Sequence, residues 1–140
     1  MGGPVTKMSL QAQLPGTLPT PREARNSLRM ARSAVKEKGN VVDGMEERQA
    51  ASKEEVEAAL EQVEEVENDL LDAAEDSPEY TAADAGHQKA WKRAERAESD
   101  LGKVGAVLRL ARGELAAAVK QLAAARADIE AIREGRRLRR

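Results

Sequence analysis

The sequence predicts an all-α fold, a long antiparallel helical hairpin of the coiled-coil type with an extended N-terminal arm. Charged residues make up 34% of the 140 residues, which is high for a globular domain. Tyr80 and Trp91 are the only aromatic residues, so Ala, Val and Leu must supply the core, which suits thin helical packing. Apolar residues also recur every seven positions over much of the chain, as in helices that pack along one seam.

Residues 1–20 are predicted to form an extended, proline-rich arm. Three of the five prolines lie in this segment, and it shows no helical period. Its large apolar side chains are more numerous than a solvated linker usually carries, although a disordered tail is the alternative. The arm is therefore predicted to dock on another surface through Val5, Met8, Leu10, Leu14 and Leu18.

The first predicted helix covers residues 21–38. Thr20 and Glu23 form a capping-box pattern just before it, and Pro21 occupies the first helical position. Gly39 is followed by Asn40, and such a pair is typical of a helix end. The sequence therefore predicts that this helix stops before residue 39.

A second helix is predicted over residues 44–76, after a cap at Asp43. Val56, Val63 and Leu70 recur every seven residues within it, which indicates a regular heptad. Two arrangements are open at this stage. The first helix either continues in line with the second or folds back on it as a short three-helix bundle.

The third and longest predicted helix covers residues 78–134, with Ser77 as its cap and Pro78 in its first turn. Its heptad runs for eight repeats without a slip. Leucine and isoleucine dominate the later a positions, while alanine dominates the d positions. The helix is predicted to end before Gly135, so that residues 135–140 form a separate basic tail.

A single short turn at Ser77 joins two segments of equal length, residues 20–76 and 78–134, with 57 positions each. Such a short connection favours antiparallel neighbours. Residues 44–76 contain 13 acidic and 2 basic side chains, whereas residues 89–112 contain 7 basic and 3 acidic ones. This opposition of charge supports the antiparallel pairing and its orientation.

The sequence predicts no catalytic residue, no metal site and no cofactor. The chain has no Cys and only one histidine, His87, so a nucleophile, a base and a third partner cannot be assembled. Asp84 and His87 are spaced i, i+3, which resembles the carboxylate–histidine pairs of ferritin-like bundles. The usual Glu of that motif is missing, and a lone His at a heptad a position more often sets the register.

The stretch over residues 106–132 is predicted to meet another chain. Its a and d positions supply the apolar side chains that pack against the other arm of the hairpin. A further apolar stripe remains at the c positions, and the same arm cannot cover both stripes. Lys89, Arg96 and Lys103 occupy the c positions earlier in the same helix. The predicted partner interface consists of Val107, Leu110, Ala117, Val119, Ala124 and Ala131.

Arginine side chains are predicted to collect at the open end of the hairpin. They could bind nucleic acid or an acidic protein, although no aromatic residues accompany them to stack on bases. This predicted basic end consists of Arg22, Arg25, Arg29, Arg133, Arg136, Arg137, Arg139 and Arg140.

These features predict a non-enzymatic structural or assembly protein that oligomerises, or packs in a large complex, through its Ala/Leu-rich helix. A phage virion component is the first candidate, suggested by composition and charge polarity rather than by a motif. The alternative is a regulatory or nucleic-acid-binding adaptor that uses the basic end. No apolar run approaches about 18 residues, so no membrane partner is expected. The predicted location is the cytoplasm or a phage particle.

Overall fold

In the computed structural model, which describes residues 18–139, the chain forms two long helices packed against each other. Helix α1 spans Pro21–Asp72 and helix α2 spans Pro78–Arg139. The described residues contain no β-strand. The all-α helical hairpin predicted from the sequence is confirmed.

Helix α1 is continuous where the sequence predicted two helices, so the predicted end at residue 38 and restart at residue 44 are wrong. Each glycine inside a helix costs about 0.5–1 kcal/mol relative to alanine, and Gly39 and Gly44 both lie in this segment. Burial of Val42 and partial burial of Met45 offset that cost. The continuous helix also excludes the three-helix alternative.

Burial along α1 keeps one heptad phase through this glycine-containing segment. Positions spaced alternately by four and three residues are all buried or half-buried, as expected for a helix with one packed side. The series consists of Ala24, Leu28, Ala31, Val35, Lys38, Val42, Met45, Gln49, Ser52, Val56, Ala59, Val63, Val66 and Leu70. The buried side of α1 therefore keeps the same heptad phase on both sides of Gly39 and Gly44.

The turn between the helices covers residues 73–77. The backbone N–H of Ser77 donates a hydrogen bond to the carbonyl oxygen of Ala74 over 3.2 Å. Asp76 adopts a left-handed conformation with φ of 62°, which short polar side chains tolerate better than most. Because residues 73–77 form the turn, α1 ends at Asp72 and not at the predicted residue 76.

Both helix starts follow the predicted capping. Thr20 and Glu23 form a capping box: the Glu23 N–H donates to Thr20 Oγ1 over 3.2 Å, and the Thr20 N–H donates to Glu23 Oε1 over 3.0 Å. The bond from the Thr20 backbone lowers the pKa of the Glu23 carboxyl. At the start of α2, which opens with Pro78, the Tyr80 N–H donates to Ser77 Oγ over 3.1 Å.

The chain divides into two compact units. The turn unit consists of residues 41–112. Its core is a cluster of small and β-branched side chains contributed by both helices, and Leu108 is its largest fully buried side chain. The cluster consists of Ala59, Val63, Ala90, Ala94 and Ala97, with Val56 and Val66 packed against it.

Ion pairs show that the two helices of the turn unit are antiparallel. Positions on α1 fall as positions on α2 rise, and acidic side chains of α1 meet basic side chains of α2, as the charge pattern predicted. Exposed pairs contribute at most about 1 kcal/mol each, so they bear mainly on orientation. The pairs are Glu67–His87 at 3.5 Å, Glu55–Arg93 at 2.9 Å and Glu46–Arg112 at 3.6 Å.

The terminal unit consists of residues 1–40 and 113–140, of which the structure describes residues 18–40 and 113–139. Alanines from both helices form its buried positions. Lys38 Nζ lies 3.3 Å from Glu114 Oε2 across the two helices. The buried alanines of this unit are Ala24, Ala31, Ala118 and Ala125.

Helix α2 continues through Gly135 to Arg139, so the predicted end at residue 134 and the separate basic tail are wrong. Salt bridges between neighbouring turns support the last residues of the helix. They join Arg133 to Glu130 at 2.9 Å and Arg137 to Glu134 at 2.8 Å. Cationic side chains near a helix C-terminus also interact favourably with the helix dipole.

Candidate protein-interaction face

Helix α2 carries a second heptad series on the side opposite its own buried series. With about 100° of rotation per residue, the c and f positions of the heptad lie on this opposite side. Every member is exposed except the half-buried Ala131, and Lys120 is the only charged member. We call it the outer series; it consists of Ala106, Leu110, Gly113, Ala117, Lys120, Ala124, Ala127 and Ala131.

The exposure of Leu110 shows how sharply the two sides of α2 differ. Leu110 is 72% exposed, whereas Leu108, two residues earlier on the same helix, is 1% exposed. Val107 is also exposed and lies beside the outer series. A single exposed apolar residue is ordinary, but here two large ones adjoin a band of alanine and glycine. This band offers an apolar surface of small side chains that another helix could approach closely.

The outer series is confined to the second half of α2. In the first half, the same heptad positions are mostly charged and exposed, which is typical of a solvated face. This matches the contrast that the sequence predicted between the two halves. From residue 82 to residue 103, these positions are Ala82, Ala85, Lys89, Lys92, Arg96, Ser99 and Lys103.

Five of the six residues of the predicted partner interface share one side of the helix, but Val119 does not. Val119 is exposed, yet it follows Leu110 by nine residues, which corresponds to a rotation of about 180°. It therefore cannot join a surface centred on Leu110. The same side of α2 also carries Ala106, Gly113, Lys120 and Ala127, which each follow a c position by three residues and were not part of the prediction.

The predicted basic end lies in the terminal unit, and its described side chains are exposed. Arg133 and Arg137 each pair with a glutamate of the same helix, whereas Arg22, Arg25 and Arg29 of α1 form no ion pair with a described residue. Arg136 is exposed as well. The side chain of Arg139 and the whole of Arg140 lie outside the described part of the chain.

The predicted docking residues of the N-terminal arm lie mostly outside the part of the chain that the structure describes. This applies to Val5, Met8, Leu10 and Leu14. Leu18, the first described residue, is 51% exposed. The prediction of an arm that docks on another surface therefore stays a prediction.

The two units differ in net charge. The described residues of the terminal unit carry 12 basic and 6 acidic side chains, a net charge of +6. The turn unit carries 9 basic and 19 acidic side chains, a net charge of −10. Charges of this size influence association with other macromolecules over about one Debye length.

His87 has two competing partners at one ring nitrogen. The indole N–H of Trp91 donates to His87 Nε2 over 2.9 Å, and Glu67 Oε2 lies 3.5 Å from the same nitrogen. A neutral imidazole can accept the Trp91 hydrogen bond at Nε2, whereas a protonated imidazole must donate there and would turn to the carboxylate. Among the described residues, no group of three His, Asp or Glu side chains is arranged to hold a metal ion.

Removal of the His87 side chain is expected to release the Trp91 indole. Trp91 is the only tryptophan and donates to His87 Nε2, so its fluorescence reports this contact. We expect the emission of a His87→Ala variant to differ from that of the wild type. Identical emission would show that Trp91 does not depend on the His87 nitrogen.

Comparisons with protein-family models, curated proteins and solved structures find no match to this chain. Within the described residues, neither helix has a segment both long and apolar enough to cross a membrane. The features of the chain that bear on its function are therefore the exposed outer series of α2 and the net charges of the two units.

Proposed function

We propose that this chain is a non-enzymatic structural protein that assembles with other chains through the outer series of α2. The observation that carries the proposal is the 72% exposure of Leu110 within a band of small side chains. Between residues 106 and 131, α2 is apolar on two opposite sides. A helix that is apolar on two opposite sides is typically covered by other elements on both of them.

The chemistry of the outer series favours a helix as the partner. Alanine and glycine have no long side chains to order, and they let a second backbone approach closely. Small side chains also lie between the two helices in the buried cluster of the turn unit, where Ala59, Ala90 and Ala94 are at most 1% exposed. The heptad series of α1 and α2 support a coiled-coil description of that packing.

An ordered assembly such as a phage particle is the setting that we propose. In addition to the contact through the outer series, the opposite net charges of the terminal and turn units favour further contacts between unlike units of neighbouring molecules. Such contacts arrange chains in a repeating order, as in a virion. Composition and charge are the grounds on which we propose this setting.

Binding of nucleic acid or of an acidic protein by the terminal unit is the alternative function. Its net charge of +6 favours this alternative, because cationic side chains neutralise phosphates and release counterions. Both aromatic residues of the chain, Tyr80 and Trp91, belong to the turn unit. Base stacking is therefore not available to the terminal unit, and such binding would depend on charge alone.

Particle mass in solution, measured at low and high salt with and without DNA, distinguishes the two functions. Assembly through the outer series should persist at high salt, because apolar contacts are not screened. Binding of DNA by the terminal unit should be lost over the same range. A chain that stays monomeric at every concentration, and gains mass only with DNA at low salt, would replace the proposed function with the alternative.

A further inference from the structure

We propose that the outer series of α2 pairs with the same series of a second copy of this chain, antiparallel about a two-fold axis between Ala118 and Val119. The inference rests on the proposed function. It adds the identity of the partner, the direction of the second helix and the register of the contact.

The spacing of the outer series supports this register. In antiparallel pairs of helices with a seven-residue repeat, the two alternating seam positions of one helix face those of the other. With the axis between residues 118 and 119, every member of the series gains a partner in the second copy. The facing pairs are Ala106 with Ala131, Leu110 with Ala127, Gly113 with Ala124, and Ala117 with Lys120.

The size of the side chains agrees with this pairing. Leu110 is the only large apolar member of the outer series, and it faces Ala127 rather than its own copy. Each of the two symmetric Leu110 side chains would therefore insert over an alanine, which lets both helices approach without a clash.

Lys120 favours the antiparallel direction. In a parallel, in-register pair, the two Lys120 side chains would lie side by side and their charges would repel. In the antiparallel pair, each Lys120 faces Ala117 of the second copy. Its aliphatic stem can then cover the small residue while the ammonium group reaches solvent.

Charge complementarity beside the seam provides an independent argument. Arg109 and Glu130 lie on the same flank of the outer series, and the proposed axis brings Arg109 next to Glu130 of the second copy. Two-fold symmetry forms this contact twice. Arg109 is exposed and makes no ion pair with any described residue, and Glu130 is exposed beside Arg133. The other flank faces Glu114 with Gln121, so no like charges meet there.

Disulfide trapping tests the direction and the register. The chain has no Cys, so Leu110→Cys and Ala127→Cys can be made separately, each with one thiol. The two positions are 17 residues apart, about 25 Å along the helix. We expect the mixed variants to form a disulfide between Cys at position 110 and Cys at position 127 under mild oxidation, with neither variant cross-linking to itself.

Charge reversal tests the flanking contact. Arg109→Glu or Glu130→Arg alone replaces two attractions with two repulsions and is expected to weaken the dimer about tenfold. The double variant, which exchanges both charges, should recover most of the wild-type dissociation constant. Arg126→Glu is the matched control, because Arg126 is exposed on the opposite side of α2.

The outcomes separate this inference from the proposed function. A Leu110→Cys variant that cross-links to itself overturns the antiparallel direction. An assembly that requires Leu110 and Ala117, but never yields the 110–127 disulfide, overturns the register and leaves the proposed function in place. A wild-type chain that is monomeric at all concentrations overturns both.

Discussion

A Leu110→Glu/Ala117→Glu variant is expected to dissociate the proposed assembly while each chain keeps its helices. In an isolated chain both positions are exposed, so each change should alter the free energy of unfolding by no more than about 0.5 kcal/mol. Glutamate is also a good helix former. In a packed interface the same carboxylates would be desolvated without a partner, which is strongly destabilising.

Sedimentation and circular dichroism, recorded on the same samples, measure the two parts of this expectation. Sedimentation should show the mass of a single chain, whereas the helical signal should match that of the wild type at equal concentration. Val119→Glu is the control, since Val119 is exposed on the opposite side of α2. If the double variant keeps the wild-type mass, the outer series is not an interface.

A Leu108→Ala variant is expected to lose about 2–5 kcal/mol of unfolding free energy, the range for truncating a buried leucine. Leu108 is 1% exposed and is the largest fully buried side chain among the described residues. Removing it leaves a cavity between two helices whose other buried side chains are small. The loss is a large share of the roughly 5–15 kcal/mol that holds a typical domain together.

Chemical denaturation of the single-chain form, in the background of the dissociated double variant, measures the Leu108 effect without a contribution from assembly. The matched control is Leu71→Ala, because Leu71 is 81% exposed and its truncation should change stability by less than about 0.5 kcal/mol. Equal effects of the two truncations would show that Leu108 is not enclosed by the hairpin.

Capping and heptad phase were predictable because they depend on neighbouring residues. Thr20 caps α1 through atoms of Glu23, only three residues away, and Ser77 caps α2 through Tyr80. The change from charged to apolar residues between the two halves of α2 was also predictable, because it can be read from the residue types at every seventh position. The opposition of charge between residues 44–76 and 89–112 likewise identified the antiparallel neighbours.

The errors arose where a local signal competed with burial. Gly39 and Asn40 resemble a helix end, but the preference is worth only about 1 kcal/mol per residue. Burying Val42 in phase with the rest of α1 outweighs it, and this gain exists only once α2 lies alongside. Gly135 was misread for a different, local reason, because the Glu134–Arg137 ion pair spans it and supports the helix beyond it.

The candidate interface combines both kinds of information. Residue types and the helical repeat suffice to find the apolar stripe through Leu110, Ala117 and Ala124, and the same repeat, applied strictly, removes Val119 from it. Which leucine is enclosed and which is left in solvent depends on packing against α1, which buries Leu108 and leaves Leu110 exposed. Periodicity is a property of one helix and can be read along the chain. Burial is a property of two helices together, so it becomes defined only when they pack.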